Sequence, residues 1–378
     1  MKSYDVIVIG GGFIGTAAAY YLARKGASVL LVEARGLGTG SSGACAGRCQ
    51  VSEAHPGLHL DLVLQGLTRL DGLEEELDYP FGWRRFGNIM LIRQEAHWRY
   101  WTGQIAHLRS RGLPAEMLDL AALHAAEAGL CVDGYLGAAW CLEGLVNPLK
   151  YCWAYARAAR RAGAVLRPQT PVTGFETEGG RVIAAITKDE RLNAGAFLVA
   201  AGAWCGKVLG LAGAPLPLGF SNAEAIVTEP LPPVLHNHVG MADFYETIHH
   251  QARAVSLGVL QVENGALYAA EAVEMATEMR RQTSSWGPPG IAAELLRVMP
   301  RFAGVRVLRS WTSVTSYLPD EQPGLGRMPG MENLYVATSF HLTCTTVPVL
   351  TEMMAQMMLG EPVEPSLDSF SPARFGTQ

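Results

Sequence analysis

A glycine-rich segment near the N-terminus constrains the fold of this 378-residue chain more than any other feature. The stretch Tyr4 to Ile9 is typical of a buried parallel strand, and it leads directly into Gly10 to Gly15, which fits the pattern GxGxxG. The Ala-rich stretch Thr16 to Arg24 predicts a helix, and Ser28 to Val32 predicts a second strand. This order indicates a βαβ unit. In such units the first glycine makes the turn, the second lets the backbone approach a pyrophosphate, and the third allows close helix–strand packing.

A second GxGxxG match, from Gly38 to Gly43, shows that the bare pattern has limited specificity in a chain with 42 glycines. Only the first match follows a predicted strand, and we expect only the first to open a helix. The first match is also followed by Glu33, at the end of the second strand, where a carboxylate can accept hydrogen bonds from ribose hydroxyls. Because that carboxylate would repel a 2′-phosphate, NADP is the least expected ligand, whereas NAD and FAD remain open.

Composition excludes several classes of protein. About half of the residues (49%) are hydrophobic and only 17% are charged, so the chain can bury a large core. The net charge of −5 and the lack of Lys/Arg-rich runs argue against nucleic-acid binding. The apolar run Val6 to Ile9 follows soon after Met1 and is too short to span a bilayer, so we expect neither a signal peptide nor a membrane-spanning segment here.

The cysteines favour a reducing compartment. There are seven of them, with no CxxC pair, so we expect a cytoplasmic protein without a disulfide framework. Cys45 and Cys49 lack a second pair or a nearby histidine that would complete a tetrahedral set, and we therefore predict no metal site.

Segments along nearly the whole chain are similar to one family of flavoproteins, the D-amino-acid-oxidase superfamily, which includes glycine oxidase and sarcosine oxidase. The similar segments are Glu33 to Arg35, Gly40 to Arg48, Gly144 to Pro148, Val172, Leu198 to Trp204, Pro319-Asp320, Asn333 to Ala337 and Phe370 to Phe375. Most of these segments are weak signals singly, but together they are specific. The resemblance implies that the dinucleotide is FAD.

The resemblance also implies an α/β (α+β) fold. A discontinuous, Rossmann-like FAD-binding domain would be formed by residues 1–80, 145–215 and 305–378, and an inserted substrate domain with an antiparallel sheet by residues 81–144 and 216–304. The sequence is compatible with this division, because residues 224–229 and 252–270 are rich in strand-forming side chains and carry a turn signal at Glu263-Asn264-Gly265.

The residues expected to contact FAD lie in the glycine loop, at the end of the second strand, in the following small-residue loop, on an adenine-side strand and in two later segments. They are Gly10, Gly12, Phe13, Ile14, Gly15, Glu33, Ala34, Arg35, Ser41, Ser42, Ala46, Gly47, Arg48, Val172, Ala201, Gly202, Trp204, His341, Leu342 and Thr343. In the family, the segment corresponding to Thr338 to Thr343 covers the isoalloxazine ring, and the next helix's N-terminus can stabilise negative charge on the reduced ring.

His341 and Arg48 are the candidate catalytic residues, because the resemblance implies that both can reach the flavin or the substrate. His249, His250 and Arg253 are weaker candidates for lining the pocket and are expected to be solvated. We predict non-covalent FAD, because Trp311 to Tyr317, where relatives place the attaching cysteine, contains no cysteine.

Two departures from the family bear on the substrate and the electron acceptor. By ungapped alignment, Thr315 and His341 occupy the positions at which glycine-oxidase-like relatives carry arginines for the substrate carboxylate. Sarcosine-oxidase relatives use a substrate-domain lysine to activate oxygen, but this chain has no lysine after Lys207. The second departure favours a dehydrogenase over an oxidase.

The resemblance therefore predicts a catalytic FAD subunit that oxidises the C–N bond of a secondary amine acid, either an opine or an imino acid. Electrons would pass to partner subunits that carry an iron-sulfur centre or a second flavin, as in heteromeric D-hydroxyproline and opine dehydrogenases. Two alternatives stay open: a stand-alone glycine- or sarcosine-type oxidase that produces hydrogen peroxide, and a non-catalytic flavin-binding subunit.

Overall fold

The computed structural model describes residues 3–244, 246, 251–276 and 278–376, so His249 and His250 lie outside the described residues. The chain forms two compact units, one from Met1–Trp83, Val146–Phe220 and Thr315–Gln378, the other from Arg84–Leu145 and Ser221–Val314. The functional roles that the sequence analysis assigned to similar ranges stay predictions.

The strands are β1 Ser3–Ile9, β2 Val29–Val32, β3 Arg48–Cys49, β4 Arg84–Ile92, β5 Ala115–Leu118, β6 Gly137–Leu145, β7 Val165–Arg167, β8 Val172–Glu178, β9 Arg181–Thr187, β10 Arg191–Val199, β11 Gly219–Pro230, β12 Asn237–Met241, β13 Arg253–Gln261, β14 Ala266–Ala276, β15 Val307–Tyr317, β16 Gly324–Arg327 and β17 Leu334–Thr338. The α-helices are α1 Phe13–Arg24, α2 Ser41–Ala44, α3 Leu58–Arg69, α4 Leu73–Leu77, α5 Glu95–Ser110, α6 Leu120–Ala126, α7 Pro148–Arg161, α8 Cys205–Gly210, α9 Gly287–Val298 and α10 Thr343–Met358. Short 3₁₀ helices occur at Leu70–Gly72, Gly202–Trp204, Pro300–Phe302, Asp368–Phe370 and Pro372–Phe375.

The first unit contains a largely parallel sheet with the strand order β16-β17-β10-β1-β2-β7. The neighbours from β17 to β7 are all parallel, while β16 and the β8–β9 hairpin attach antiparallel. All four residues of β2 are buried, as expected for a strand covered on both faces. Because the central strands are parallel, their carboxyl ends meet at one edge of the sheet. The predicted Rossmann-like fold is confirmed.

Helix α1 starts earlier than the sequence predicted. It begins at Phe13 rather than Thr16, so the last glycine of the motif, Gly15, lies inside the helix. A Cβ at Gly15 would overlap the carbonyl oxygen of Gly10, and this contact brings the helix start against the end of β1. Helix α7 begins at Pro148, after an Asn147 side chain that accepts a hydrogen bond from the Lys150 N–H, a regular N-cap.

The second unit contains a sheet in which β15-β11-β14-β13-β12-β4-β6 are successive neighbours, with β5 beside β6. The turn at Glu263-Asn264-Gly265 joins β13 and β14 as predicted. The predicted antiparallel pairing is found between β12, β13 and β14 and between β4, β5 and β6, whereas β12 runs parallel to β4. These two strands come from different segments of the chain, so no hairpin fixes their relative direction. In the described part of the chain, no helix is long and apolar enough to cross a membrane.

Candidate functional site

The carboxyl ends of four parallel strands in the first unit form the candidate site. The Gly10 N–H donates to the Val32 carbonyl (2.9 Å), and the Ala200 N–H donates to the Ile9 carbonyl (2.8 Å), so the ends of β1, β2 and β10 lie together. The Thr338 hydroxyl donates to the Gly202 carbonyl (3.4 Å), which adds the end of β17. In open α/β sheets, ligands bind at this edge.

The first glycine loop combines two tight backbone contacts with one open side. Gly10 has a φ of +119°, and a Cβ there would overlap the Ala200 carbonyl. At Gly12, by contrast, a Cβ would meet only the Ser42 side chain, with its oxygen 2.9 Å away. Gly12 is therefore the position at which a ligand can approach the backbone at the start of α1. Ile14 and Gly15 lie in the first turn of that helix.

Glu33 is held by the glycine loop itself. One carboxylate oxygen accepts the Gly11 N–H (2.7 Å) and the other accepts the Arg35 N–H (2.8 Å). Each oxygen keeps a further lone pair with which it can accept a ribose hydroxyl. The Glu33 carbonyl accepts the Thr170 N–H (2.8 Å), which brings this segment beside the chain that leads into β8 and Val172. Ala34 and Arg35 are exposed.

The second glycine loop does open a helix, so our expectation on this point was wrong. Helix α2 begins at Ser41 and has only four residues, none of them buried. A Cβ at Gly43 would overlap the Gly38 carbonyl, which repeats the packing of Gly15 on Gly10. The two loops are joined, because the Gly38 N–H donates to the Gly11 carbonyl (2.8 Å) and the Phe13 N–H donates to the Ser42 hydroxyl (3.0 Å).

Further predicted FAD residues lie in two segments, one before β3 and one after β10. Gly47 has a φ of +78°, and its carbonyl accepts the Val146 N–H (2.9 Å). Ala46 and Arg48 are half-buried, and Arg48 begins β3. Ala201, Gly202 and Trp204 follow β10, and the Arg35 guanidinium lies 5.9 Å from the centre of the Trp204 ring. Ala201, Gly202 and Trp204 thus lie at the carboxyl end of β10, with Trp204 beside Arg35.

The loop from Ser339 to Thr343, between β17 and α10, has an unusual backbone. Ser339 and Leu342 have φ values of 51° and 58° without being glycine, a conformation that costs about 1–2 kcal/mol per residue. The Thr343 hydroxyl donates to the Phe340 carbonyl at the start of α10. Such a backbone persists only when its surroundings hold it.

His59, on α3, holds this loop. Its side chain is 2% exposed. The His55 N–H donates to His59 Nδ1 (3.1 Å), so a neutral His59 carries its proton on Nε2, which lies 3.2 Å from the His341 carbonyl oxygen and donates to it. Burial lowers the pKa of His59 to about 4, which keeps the ring neutral at physiological pH.

The three imidazoles form a cluster. The rings of His59 and His341 are stacked with centroids 5.4 Å apart, and the His55 ring meets His341 edge-on at 4.8 Å. Sequence analysis identified His341 but missed His55 and His59. Their spacing of four residues was the only available signal, and nothing in the sequence connects that pair to a residue 282 positions later. In the described ranges, no group of three His, Cys, Asp or Glu side chains is arranged to hold a metal ion.

Two of the segments that carry the family resemblance meet at the end of the chain. The Arg374 guanidinium donates to both oxygens of Asp320, with distances of 2.7 and 3.1 Å. The same guanidinium donates to the Phe370 carbonyl (2.6 Å). Asp320 and the closing segment therefore form one hydrogen-bonded corner of the first unit.

Fold and site together define a protein with a Rossmann-like dinucleotide-binding unit. The pattern described as "DAO: FAD dependent oxidoreductase" matches residues 5–357, and the chain belongs to this family. FAD is accordingly its cofactor. The site fits this group, because Gly12 offers an open backbone beside a helix N-terminus and Glu33 presents oriented carboxylate oxygens.

Several known proteins are similar to the chain. Hydrogen cyanide synthase subunit HcnC of Pseudomonas protegens is 25% identical over 425 aligned residues, covering 100% of this chain and 97% of that protein. Sarcosine oxidase subunit beta of Rhizobium meliloti is 27% identical over 342 residues, covering 88% and 79%. Among solved structures, glycine oxidase from Geobacillus kaustophilus superposes with a TM-score of 0.89 at 22% identity, covering 99% of both chains.

Proposed function

We propose that the chain is the catalytic FAD subunit of a heteromeric dehydrogenase that oxidises the C–N bond of a secondary amine acid, an opine or an imino acid. The observation that carries the proposal is that the chain aligns over its full length with a protein named as a subunit, and over 88% with another. Both relatives are named as parts of larger enzymes. A C–N substrate agrees with the amine named in sarcosine oxidase.

The chain's own residues would position FAD as follows. Gly12 and Phe13 would face the pyrophosphate at the N-terminus of α1, and Glu33 would accept the ribose hydroxyls. When bound, FAD supplies the redox chemistry by accepting a hydride equivalent from the carbon next to the amine. The start of α10 at Thr343 would offer the positive end of a 16-residue helix to negative charge on the reduced ring.

Substrate anchoring would depend on His341. Its ring belongs to the cluster with His55 and His59, and its carbonyl is fixed by His59, so the loop that carries it has a defined position. Thr315, the other position at which relatives carry an arginine, is an exposed residue of β15. With no arginine at either place, we propose that His341 and Arg48 share the recognition of the substrate carboxylate.

Electron transfer to a partner would replace the reaction with oxygen. The chain has no lysine after Lys207, whereas sarcosine oxidases use a lysine to activate oxygen. We propose that the reduced flavin reacts slowly with oxygen and passes its electrons to an iron-sulfur centre or a second flavin in another subunit. The two-electron oxidation leaves an imine, which water hydrolyses to a carbonyl compound and an amine.

An anaerobic substrate screen tests this proposal. The purified yellow protein is mixed with opines, imino acids and simple amino acids, and flavin bleaching is followed by its visible absorbance. We expect fast bleaching by a secondary amine acid, slow turnover in air, and restored turnover with an artificial dye. Peroxide release at the rate of flavin reduction would show a stand-alone oxidase, and a flavin that no substrate bleaches would indicate a non-catalytic subunit.

Attachment of the cofactor is tested separately. We propose that FAD is held without a covalent bond, since β15 from Trp311 to Tyr317 contains no cysteine. Acid or SDS denaturation should release all the flavin into the supernatant. Yellow colour that stays with the precipitated chain would contradict this proposal without affecting the proposed reaction.

A further inference from the structure

Two cysteines from distant parts of the sequence meet in the first unit. The sulfur atoms of Cys45 and Cys344 lie 4.0 Å apart, although 299 positions separate the two residues. Cys45 immediately follows helix α2, in the small-residue loop, and Cys344 is the second residue of α10. Neither takes part in a disulfide in the structure. The pair therefore joins the two segments that the family resemblance places at the flavin.

The hydrogen bonds of the two thiols give them different roles. The Cys45 S–H donates to the Ser42 carbonyl (3.3 Å), so the proton between the two sulfurs comes from Cys344. This hydrogen bond from Cys344 lowers the pKa of the Cys45 thiol, while the same interaction raises the pKa of Cys344. Cys45 is also the more accessible of the two, since Cys344 is only 7% exposed.

We propose that Cys45 and Cys344 are a peroxide-sensitive dithiol pair that closes to a reversible disulfide. The Cys45 thiolate attacks one oxygen of hydrogen peroxide, which breaks the O–O bond and leaves a sulfenic acid on Cys45 and, after protonation, one water. The Cys344 sulfur then attacks the Cys45 sulfur, and the hydroxyl leaves as a second water. Overall, two thiols are oxidised, one peroxide is reduced, and two waters form.

Closure needs only a small displacement. A disulfide has an S–S length of about 2.05 Å, so the two sulfurs must approach by about 2 Å, which side-chain rotation and a slight loop shift can supply. The start of α10 is already anchored, because the Thr345 hydroxyl donates to the Gln50 carbonyl (2.8 Å). Movement should therefore fall on the Cys45 side, in the small-residue loop that is predicted to contact FAD.

Four of the other five cysteines are buried and are poor competitors for this reaction. Burial raises the pKa of Cys152 to about 12 and that of Cys205 to about 11, which disfavours the reactive thiolate. Cys49 and Cys141 are also buried, at 0% and 2% exposure. Cys131 is half-buried and lies in the second unit, so it serves as an accessible thiol outside the pair.

Peptide mapping of the peroxide-treated, FAD-loaded protein tests the proposal, independently of the proposed substrate. Hydrogen peroxide is added in small excess, remaining thiols are alkylated, and the chain is digested without reductant. We expect a cross-linked peptide that contains Cys45 and Cys344, a loss of two thiols per chain, a mass lower by two hydrogens, and full reversal by dithiothreitol. The flavin spectrum should shift on oxidation and return on reduction.

Variants make the assignment specific. Cys131→Ser should behave as the unmodified chain, whereas Cys45→Ser and Cys344→Ser should form no intramolecular cross-link. If a variant at either position fails to fold, the cross-linked peptide from the unmodified chain is sufficient to test whether Cys45 and Cys344 form the disulfide. A sulfinic acid on Cys45 without cross-linking, disulfides only between chains, a cross-link to another cysteine, or no thiol loss would each overturn the proposal.

Discussion

Two loops at the same edge of the sheet are shaped by opposite means. The first, Gly10 to Gly15, obtains its special backbone from glycine, and its two critical contacts are between backbone atoms. The second, Ser339 to Thr343, adopts left-handed conformations at Ser339 and Leu342 without glycine and depends on His59 from another helix. A loop can therefore carry its own conformation in its sequence or take it from distant support. Only the first kind is visible as a motif.

The largest effect should follow from filling the glycine contact inside α1. Gly15→Ala places a methyl group on the Gly10 carbonyl, and because both groups are backbone-bound, neither can move away cheaply. We expect a loss of about 4–5 kcal/mol or more, seen as insoluble or unfolded protein. The matched control is Gly103→Ala within α5, where a Cβ meets no atom within 4 Å and should stabilise the helix by about 0.5–1 kcal/mol. Equal behaviour of the two variants would contradict this interpretation of the loop.

The second-largest effect concerns binding rather than folding. Gly12→Val should leave the chain folded, because its φ of −82° suits any residue and only Ser42 lies nearby, yet it should block approach of the pyrophosphate. We expect FAD affinity to fall at least about 100-fold, or about 2.7 kcal/mol. Gly72→Val should stay yellow, since Gly72 is exposed, lies outside the predicted FAD contacts, has a φ of −113° and has no atom within 4 Å of a Cβ. A stoichiometrically loaded Gly12→Val protein would refute the assignment of the pyrophosphate site.

Lowering the pH should destabilise the Ser339 to Thr343 loop, which His59 supports, more than the Gly10 to Gly15 loop. The pKa of His59 falls from 6.5 to about 4 on folding, chiefly through burial, so the unfolded chain binds this proton first. The contribution of a neutral His59 to the free energy of unfolding is fully present above pH 6.5. It is lost as the pH falls toward 4, by up to about 3 kcal/mol. Urea unfolding at pH 7.5 and 4.5 measures the loss. His59→Gln keeps an N–H donor and does not titrate, so its unfolding free energy should fall less between these two pH values than that of the unmodified chain. An equal fall in both proteins would show that His59 does not cause the loss.

The smallest effect isolates the left-handed backbone of the second loop. Ser339→Gly and Ser339→Ala both lose the hydrogen bond to the Ser316 hydroxyl and differ mainly in their tolerance of a φ of 51°. The glycine variant should be more stable by about 1 kcal/mol. Gly202→Ala makes the reverse change, because Gly202 has a φ of +55° and no atom lies within 4 Å of a Cβ there. This variant should lose a similar amount of unfolding free energy. Thermal unfolding of the three variants gives both differences, and a more stable Ser339→Ala would show that the loop relaxes.

The sequence predicted the features whose cause is local. The βαβ start and the hairpin turn at Asn264-Gly265 each rest on neighbouring residues, and both are confirmed. The start of α1 was misplaced by three residues, since Gly15 marks close packing and does not break the helix.

What the sequence did not show depends on contacts between distant segments. The parallel β4–β12 pair, the support of His341 by His59 and the approach of Cys45 to Cys344 all join residues far apart in the chain. In none of these cases does the local sequence connect the two partners. The predicted FAD contacts were identified through the family resemblance and remain predictions residue by residue.

Because β4 pairs with β12, it is synthesised long before one of its two neighbouring strands. Gly87 pairs with Asn237, which follows it by 150 positions, so one edge of β4 has no neighbour while the intervening chain is made. At the usual 5–20 residues per second, this interval lasts roughly 8–30 seconds. During it, a strand whose last seven residues are all buried in the finished protein presents open hydrogen-bonding groups. Production of the intact enzyme should therefore benefit from chaperones that shield this edge.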